Sequence, residues 1–451
     1  MKQELSESTL FGKESIGKII WKLAPPVMLA QLIQALYNIV DSYFVGKFSG
    51  DGLTALSVVY PIQFIIIALG VGTGIGVNTY MARMYALREK EQADQAAGMG
   101  VLLAVGMWAI FSVLCLLFLR FYIQISASSA TAVQYANTYG LIVCVGSLGT
   151  FLESNYTKVH QARGNMKLPM LAQIVGAVIN IILDPLLIFG YGFFPRMEIA
   201  GAAVATVIGQ VAAAAITGFS AYVKMPDRKK IGMYTKQIYH YGYPQILMQL
   251  LMTLYIVVLN IILAGYCDEA VTVLGLYYKM QTFFFIPLFS LQTCIVPVLS
   301  YNYTIHQYRR CHKLTMDTVL ISCGFMLIGV FCFWFLPDKL IELFSHDPKT
   351  ITIGRTAFRI IGASFIPAVF SLISPVFFQA IGKSVQSVVL ALIRQIGCLI
   401  PFFWLLSRIN YDYSWWAFPL AETITGTVGT ILYIQILRKW AAYDRSLSSK
   451  A

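Results

Sequence analysis

Apolar runs of about 20 residues, the length needed to cross a bilayer as helix, recur along the whole chain with short polar gaps between them. They lie near 16–45, 53–82, 96–121, 131–158, 167–190, 199–223, 238–265, 270–300, 314–336, 350–378, 384–406 and 415–437. Twelve spanning helices are therefore expected, with 350–378 the least clean. No gap is long enough for a separate soluble domain. Before the first run, Met1 to Lys22 is polar and then amphipathic, with Ile16, Ile19, Ile20 and Leu23 on one face. It lacks the short apolar core and small-residue cleavage site of a signal peptide.

Composition agrees with lipid as the main solvent. Of 451 residues 58% are apolar and 12% charged, with a mean hydropathy of +0.69, whereas soluble domains carry about a quarter charged residues. The net charge of +12 does not point to nucleic acid, because the basic residues sit in the gaps between spans rather than on a soluble surface. With the N-terminus placed inside, 23 Lys and Arg fall on the inner side and 8 outside. The positive-inside rule then puts both termini in the cytoplasm. The eight cysteines fall almost entirely in apolar runs without metal or redox spacing, and they read as small core hydrophobes.

The most basic gap, Lys224-Met-Pro-Asp-Arg-Lys-Lys, lies at the midpoint and reads as a linker. At a fixed offset of 218, Pro26, Gln31, Tyr37, Tyr60 and Gln63 match Pro244, Gln249, Tyr255, Tyr278 and Gln281, and Gln161-Ala162-x-Gly164 matches Gln379-Ala380-x-Gly382. Six crossings return the chain to its starting side, so the two halves form a parallel repeat, an architecture that places a substrate cavity between lobes. The expected division is an N-terminal lobe 1–223, a cytoplasmic linker 224–237 and a C-terminal lobe 238–451.

Polar residues inside the spans carry the candidate chemistry. Gln31, Gln34, Asn38 and Asp41 form one stripe of the first helix, and Gln173, Asn180 and Asp184 repeat the pattern on the fifth. Counted from the cytoplasmic ends at 1.5 Å per residue, Asp41 and Asp184 both lie roughly 26 to 29 Å along their helices. An intramembrane carboxylate needs a partner, water or a cation. If the helices are neighbours, Asp41, Asn180 and Asp184, with Thr206 nearby, make an oxygen-rich pocket for a shared proton or a small hard cation. Lys279, Arg394 and Glu422 fall near mid-membrane in the second half, where an ion-pair network and substrate contact stand equally open. Glu153, with Lys158 five residues on, reads as a structural or gating pair. Gly201, Ala205, Gly209 and Ala213 form a small-residue stripe suited to helix packing. Pro25 and Pro26 precede the polar stripe of the first helix and are candidate hinges.

These residues resemble the multidrug and toxic compound extrusion family. The resemblance rests on Pro26, Tyr37-x-x-x-Asp41-x-x-Phe44-Val45-Gly46, the doubled Gln-Ala-x-Gly, and Asn180-Ile-Ile-Leu-Asp184-Pro185, and it covers essentially the whole chain. It implies an all-α membrane protein of twelve helices in two pseudo-symmetric six-helix lobes, arranged as a V, that exchanges H+ or Na+ for organic, often cationic and aromatic, compounds. It carries the cation site onto Asp41, Asn180, Asp184 and Thr206. Members that bind cations in the seventh helix use acids there, where this chain has Gln245, Gln249 and Asn260.

Gln34, Tyr37, Asn38, Gln63, Gln249, Tyr255, Lys279 and Gln281 are the candidates for lining the substrate cavity. The expected partners are small organic substrates and the bilayer, without nucleic acid, metal centre or cofactor beyond the coupling ion. The expected setting is a monomer in the cytoplasmic membrane. A lipid-linked oligosaccharide flippase would need more basic cavity residues than Lys279 and Arg394. An intramembrane protease would need signatures that Tyr411-Asp412 and Gly50-Asp51-Gly52 do not supply, and a channel is disfavoured by the inequivalent acids of the two halves.

Overall fold

The structure, a computed structural model, describes residues 10–126, 129–192, 194–221 and 223–448, and among them there are helices and no strand. Met1 to Thr9, part of the N-terminal segment read above, lie outside the described residues. Among the described residues nine helices are individually long and apolar enough to cross a membrane, and three bent pairs, each counted as one span, bring the number to twelve.

The first six spans are Ile16–Phe48, Gly50–Ala86, Lys90–Ser126, Ala130–Gly146 with Leu148–Ala162, Lys167–Phe189 and Ile199–Phe219. The seventh to ninth are Ile231–Ala264, Asp268–Phe284 with Ile286–Thr304, and Tyr308–Phe335. The tenth is Pro348–Gly362 with Phe365–Ala380; the eleventh runs from Ser384 to Ile409; the twelfth is Ala417–Ser448. The fourth span bends by 43°, the eighth by 52° and the tenth by 55°. The bend explains why 350–378 reads poorly as one straight helix. A π-helical stretch, Ile393–Leu399, interrupts the eleventh span.

The chain packs as two compact units. One comprises Met1–Lys13 and Pro25–Ile246, the other Glu14–Ala24 and Leu247–Ala451. The change-overs fall inside the first and seventh spans, beside Pro25 and Pro244, rather than in the 224–237 connection. Ile16, Ile19, Ile20 and Leu23 are all buried, as one apolar face requires. The Nη2 of Arg310 fixes their segment in the second unit by donating to the Glu14 carbonyl at 2.6 Å.

Within the first unit, Val45, Ala55, Val59, Tyr139, Ile188 and Ile199 belong to one buried core. Leu116, Leu117, Phe118 and Phe121 of the third span are exposed, the pattern of a surface whose solvent is lipid. In the second unit the rings of Phe285, Phe333, Phe358 and Phe365 pack with centroids 4.7 to 5.1 Å apart. The eight cysteines are free thiols.

The doubled Gln-Ala-x-Gly is a helix stop. Gly164 and Gly382 have φ of 85° and 81°. The following N–H groups, on Asn165 and Lys383, donate to the carbonyls of His160 and Phe378 at 3.0 and 2.8 Å. This is the Schellman closure, which satisfies carbonyls at a helix end through a left-handed residue, usually Gly. The second and eighth spans end in the same way without glycine. Arg88 and His306 take φ of 63° and 57°, and the next N–H groups, on Glu89 and Gln307, reach the carbonyls of Met84 and Asn302 at 2.8 and 2.9 Å. Both pairs of stops obey the offset of 218.

Candidate functional site

Glycines bring the fifth and sixth spans together. A Cβ on Gly176 would stand 2.7 Å from the Gly209 carbonyl oxygen, and one on Gly209 would stand 2.6 Å from that of Gly176, so the backbones touch where any side chain would wedge them apart. Gly201 sits equally close to the backbone of Leu187. The small-residue stripe is therefore the seam between these helices. It carries Asn180 to Thr206, whose Oγ1 accepts from Asn180 Nδ2 at 3.3 Å. The same amide makes a long contact of 3.5 Å with Asp184 Oδ1, one turn on.

Asp41 of the first span completes the group. Its carboxyl lies within hydrogen-bonding reach of that of Asp184. Asp184 and Asn180 are almost wholly buried, at 0% and 3% exposure. Asp41 Oδ1, Asn180 Oδ1 and Asp184 Oδ2 are buried without a hydrogen-bond partner. Two carboxyl groups in contact cannot both hold a bare charge in a low-dielectric setting. They need a proton between them or a cation beside them. Equal depth along two helices, read from the sequence, thus becomes spatial contact.

Tyr139, of the fourth span, also belongs here. Gln63 Nε2 donates to its hydroxyl at 3.3 Å, and it shares a side-chain hydrogen bond with Thr206. Sequence reasoning missed this residue, although Tyr135 and Tyr139 lie one turn apart in an apolar run. Tyr37 stands close enough to Asp41, Glu153 and Asp184 to feel all three charges.

Beside this cluster is a cavity of about 120 Å³ bounded by the first, second, fourth, fifth and sixth spans. Gln34, Tyr37, Thr150, Glu153, Asn180 and Thr206 contribute to its wall, and among the described residues Glu153 is the one charged residue that lines it. The Glu153–Lys158 pair expected from the sequence is replaced by neutral partners: Thr157 Oγ1 donates to Glu153 Oε1 at 2.7 Å, and Gln173 hydrogen-bonds the same carboxylate. Five residues turn a helix by about 140°, which separates the two faces. Lys158 instead donates to Gln161 Oε1 at 2.9 Å. Asn38 is exposed on the first span and is absent from the wall of this cavity.

The remaining candidates belong to the second unit. Tyr255 and Gln281 are buried, and Gln249 is half-buried. Arg394, on the π-helical stretch, holds Glu422 with Nε at 3.0 Å from both carboxylate oxygens and Nη2 at 2.6 Å from Oε1. Ser371 donates to Glu422 Oε2. Lys279 does not join this group: its side chain is exposed, with Nζ 5.5 Å above the Phe344 ring. Depth along a helix specified height and not direction. Among the described residues no cluster of three His, Cys, Asp or Glu could hold a metal ion.

Comparison with known proteins places this arrangement in context. The chain is 24% identical over 402 residues to a FAD transporter of Shewanella oneidensis, covering 88% of this chain and 89% of that one. It is also 24% identical to the multidrug export protein MepA of Staphylococcus haemolyticus, with 97% of each chain covered. A crystal structure of a MATE transporter in complex with MaL6 superposes with a TM-score of 0.89 at 21% identity, covering 97% of this chain and 99% of that chain. The MatE family model matches twice, at residues 26–186 and 244–405, and the two matches begin at the prolines that open the internal repeat. The chain belongs to the MatE family, whose members are multi-pass membrane transporters rather than enzymes.

Proposed function

We propose that this protein is a cation-coupled antiporter that exports organic, cationic or aromatic compounds across the cytoplasmic membrane by alternating access. The observation that carries the coupling is the contact between the Asp41 and Asp184 carboxyls. A proton held by the pair removes one charge and supplies the donor that the contact requires. Proton loss restores repulsion and favours another arrangement of the first and fifth spans. The three partnerless oxygens on Asp41, Asn180 and Asp184 favour Na+ as a second reading, since a hard cation takes oxygen ligands.

The hinge on this reading is Pro25 and Pro26. They lie within one continuous helix, where their rings deprive the carbonyls of Trp21 and Lys22 of N–H partners. A helix weakened at that point can bend as the aspartate pair loads and unloads. Ion and substrate then alter each other's affinity by the same factor, as linkage demands. Substrate class follows from the cavity beside the pair, where among the described residues no Lys or Arg lines the wall. That lining opposes a polyanion such as the flavin dinucleotide named for one relative, and equally a lipid diphosphate. Both termini are placed in the cytoplasm by the Lys and Arg asymmetry, and each chain is taken to work as a monomer.

Transport of a panel of cationic, neutral and anionic dyes in proteoliposomes, under an imposed pH gradient or an imposed Na+ gradient, tests the reading. Uphill movement of cationic dyes driven by the pH gradient is the expected result. Movement driven by Na+ alone selects the second ion. Movement of anions only, or no movement under either gradient, rejects the antiporter of organic cations.

A further inference from the structure

Glu153 is not used by the proton-bearing pair, and the structure does not bury it as an ordinary ion pair. It stands on the second half of the broken fourth span, six residues past the bend at Ser147. Its hydrogen-bond partners, Thr157 and Gln173, are neutral, and Lys158 attracts it only through space. A structural carboxylate at membrane depth would normally sit against a cation. Here it faces the cavity.

A second, independent feature of the same wall points to the same ligand chemistry. Asn180 is 3% exposed, lines the cavity, and its Oδ1 has no hydrogen-bond partner. Its amide nitrogen is committed to Thr206 and Asp184, so what it offers is an acceptor. Thr150 Oγ1, also in the wall, donates to Gln210 Oε1 at 2.6 Å. The acceptors this wall offers a ligand are therefore the Glu153 carboxylate and the Asn180 amide oxygen, beside the ring of Tyr37, with the amides of Gln34 and Gln210 also in the wall. An ammonium presents several donors and no acceptor, and it is attracted to a ring face as well as to a carboxylate. An uncharged guest can offer these acceptors at most a neutral N–H or O–H donor without the charge attraction, and an anion is repelled by the carboxylate.

Resting on the antiporter reading above, we propose that Glu153 is the specificity-determining residue of this cavity, seating the protonated amine of a substrate between its carboxylate, the Asn180 amide oxygen and the Tyr37 ring. The aspartate pair then governs coupling while Glu153 governs which charge class is accepted, so the two roles separate by mutation. Glu153→Gln keeps the shape and an acceptor for Thr157 but removes the charge, and Glu153→Asp keeps the charge on a shorter stem.

The test uses the purified full-length chain. Binding of 9-aminoacridinium, a cation with N–H donors, is compared with that of acridone, which is uncharged and has a similar ring system, by fluorescence titration. Uphill export of both is followed in proteoliposomes. Glu153→Gln is expected to weaken cation binding by about tenfold or more, the scale of a lost charge-assisted hydrogen bond, and to weaken binding of acridone, which brings only a neutral N–H, by much less. Glu153→Asp is expected to recover part of the cation affinity. Unchanged cation binding in Glu153→Gln, or equal loss of cation and acridone, overturns the assignment. If the wild-type chain exports no dye of either charge, the antiporter reading itself fails, whereas wild-type export with an unaffected Glu153→Gln rejects Glu153 alone.

Discussion

Replacing Arg394 by Gln strands a carboxylate inside the second unit. In the native arrangement the guanidinium makes three contacts of 2.6 to 3.0 Å with Glu422, and the two side chains are 10% and 7% exposed. Removing one partner of such a pair costs about 3–5 kcal/mol, because the remaining charge stays desolvated without compensation. For a unit of roughly 200 residues, each kcal/mol lowers the melting temperature by about 2–4 °C, so a fall of about 6–20 °C is expected. Fluorescence-detected size-exclusion after heating the detergent-solubilised protein reads this directly. The matched control is Arg394→Met with Glu422→Leu, which removes both charges and keeps the volume. It should melt far closer to wild type, since buried pairs replaced by apolar residues are often neutral. A Gln variant melting within 2 °C of wild type would refute the structural role of the pair. So would a double variant as unstable as the single one, by showing that the cost lies in packing.

Asp41→Asn and Asp184→Asn should each retain measurable substrate binding and abolish gradient-driven export, with binding and uphill transport measured on the same preparation; export by Asp41→Asn at the wild-type rate removes it as the coupling group. Gly209→Val should push the sixth span off the Gly176 carbonyl, costing about 1–3 kcal/mol as overpacking and breaking the Asn180–Thr206 bond, read as a lower melting temperature together with lost export. Gly164→Ala should destabilise by about 1–2 kcal/mol at its left-handed φ. Arg88→Gly, exposed and already left-handed, should leave stability unchanged or raise it by up to about 1 kcal/mol, because relief of strain offsets the entropy of glycine, whereas His306→Gly should gain less because it also loses the 2.8 Å hydrogen bond between Nδ1 and the Tyr308 hydroxyl.

Spans, repeat and aspartate pair were legible because each is encoded along one helix. Hydropathy gives length, a fixed offset gives the repeat, and residue counting gives depth. Asp41 and Asp184 could be paired by depth alone, since both sit on polar stripes that must turn inward. The same counting failed for Lys279, which shares a depth with Arg394 but points elsewhere. Tyr139 was illegible for the complementary reason: its hydroxyl acquires meaning only when the fourth span lies against Gln63 and Thr206. Glu153 was matched to the nearest opposite charge in sequence, although a separation of five residues puts Lys158 on another face. The stops at Arg88 and His306 lack the glycine or asparagine that normally marks a left-handed helix end, so nothing in their composition announces them.

The change-over of the compact units inside two helices has a consequence for biosynthesis. Glu14–Ala24 leave the ribosome almost first, yet the unit they complete is finished only with the last spans. Conversely, the first unit lacks its closing segment until translation has passed Ile246, beyond the basic connection. Order of synthesis and order of assembly therefore differ at both ends of the repeat. A gene split at the connection would give two products, each carrying a stretch that belongs to its sibling, and neither could finish packing before the two met in the membrane.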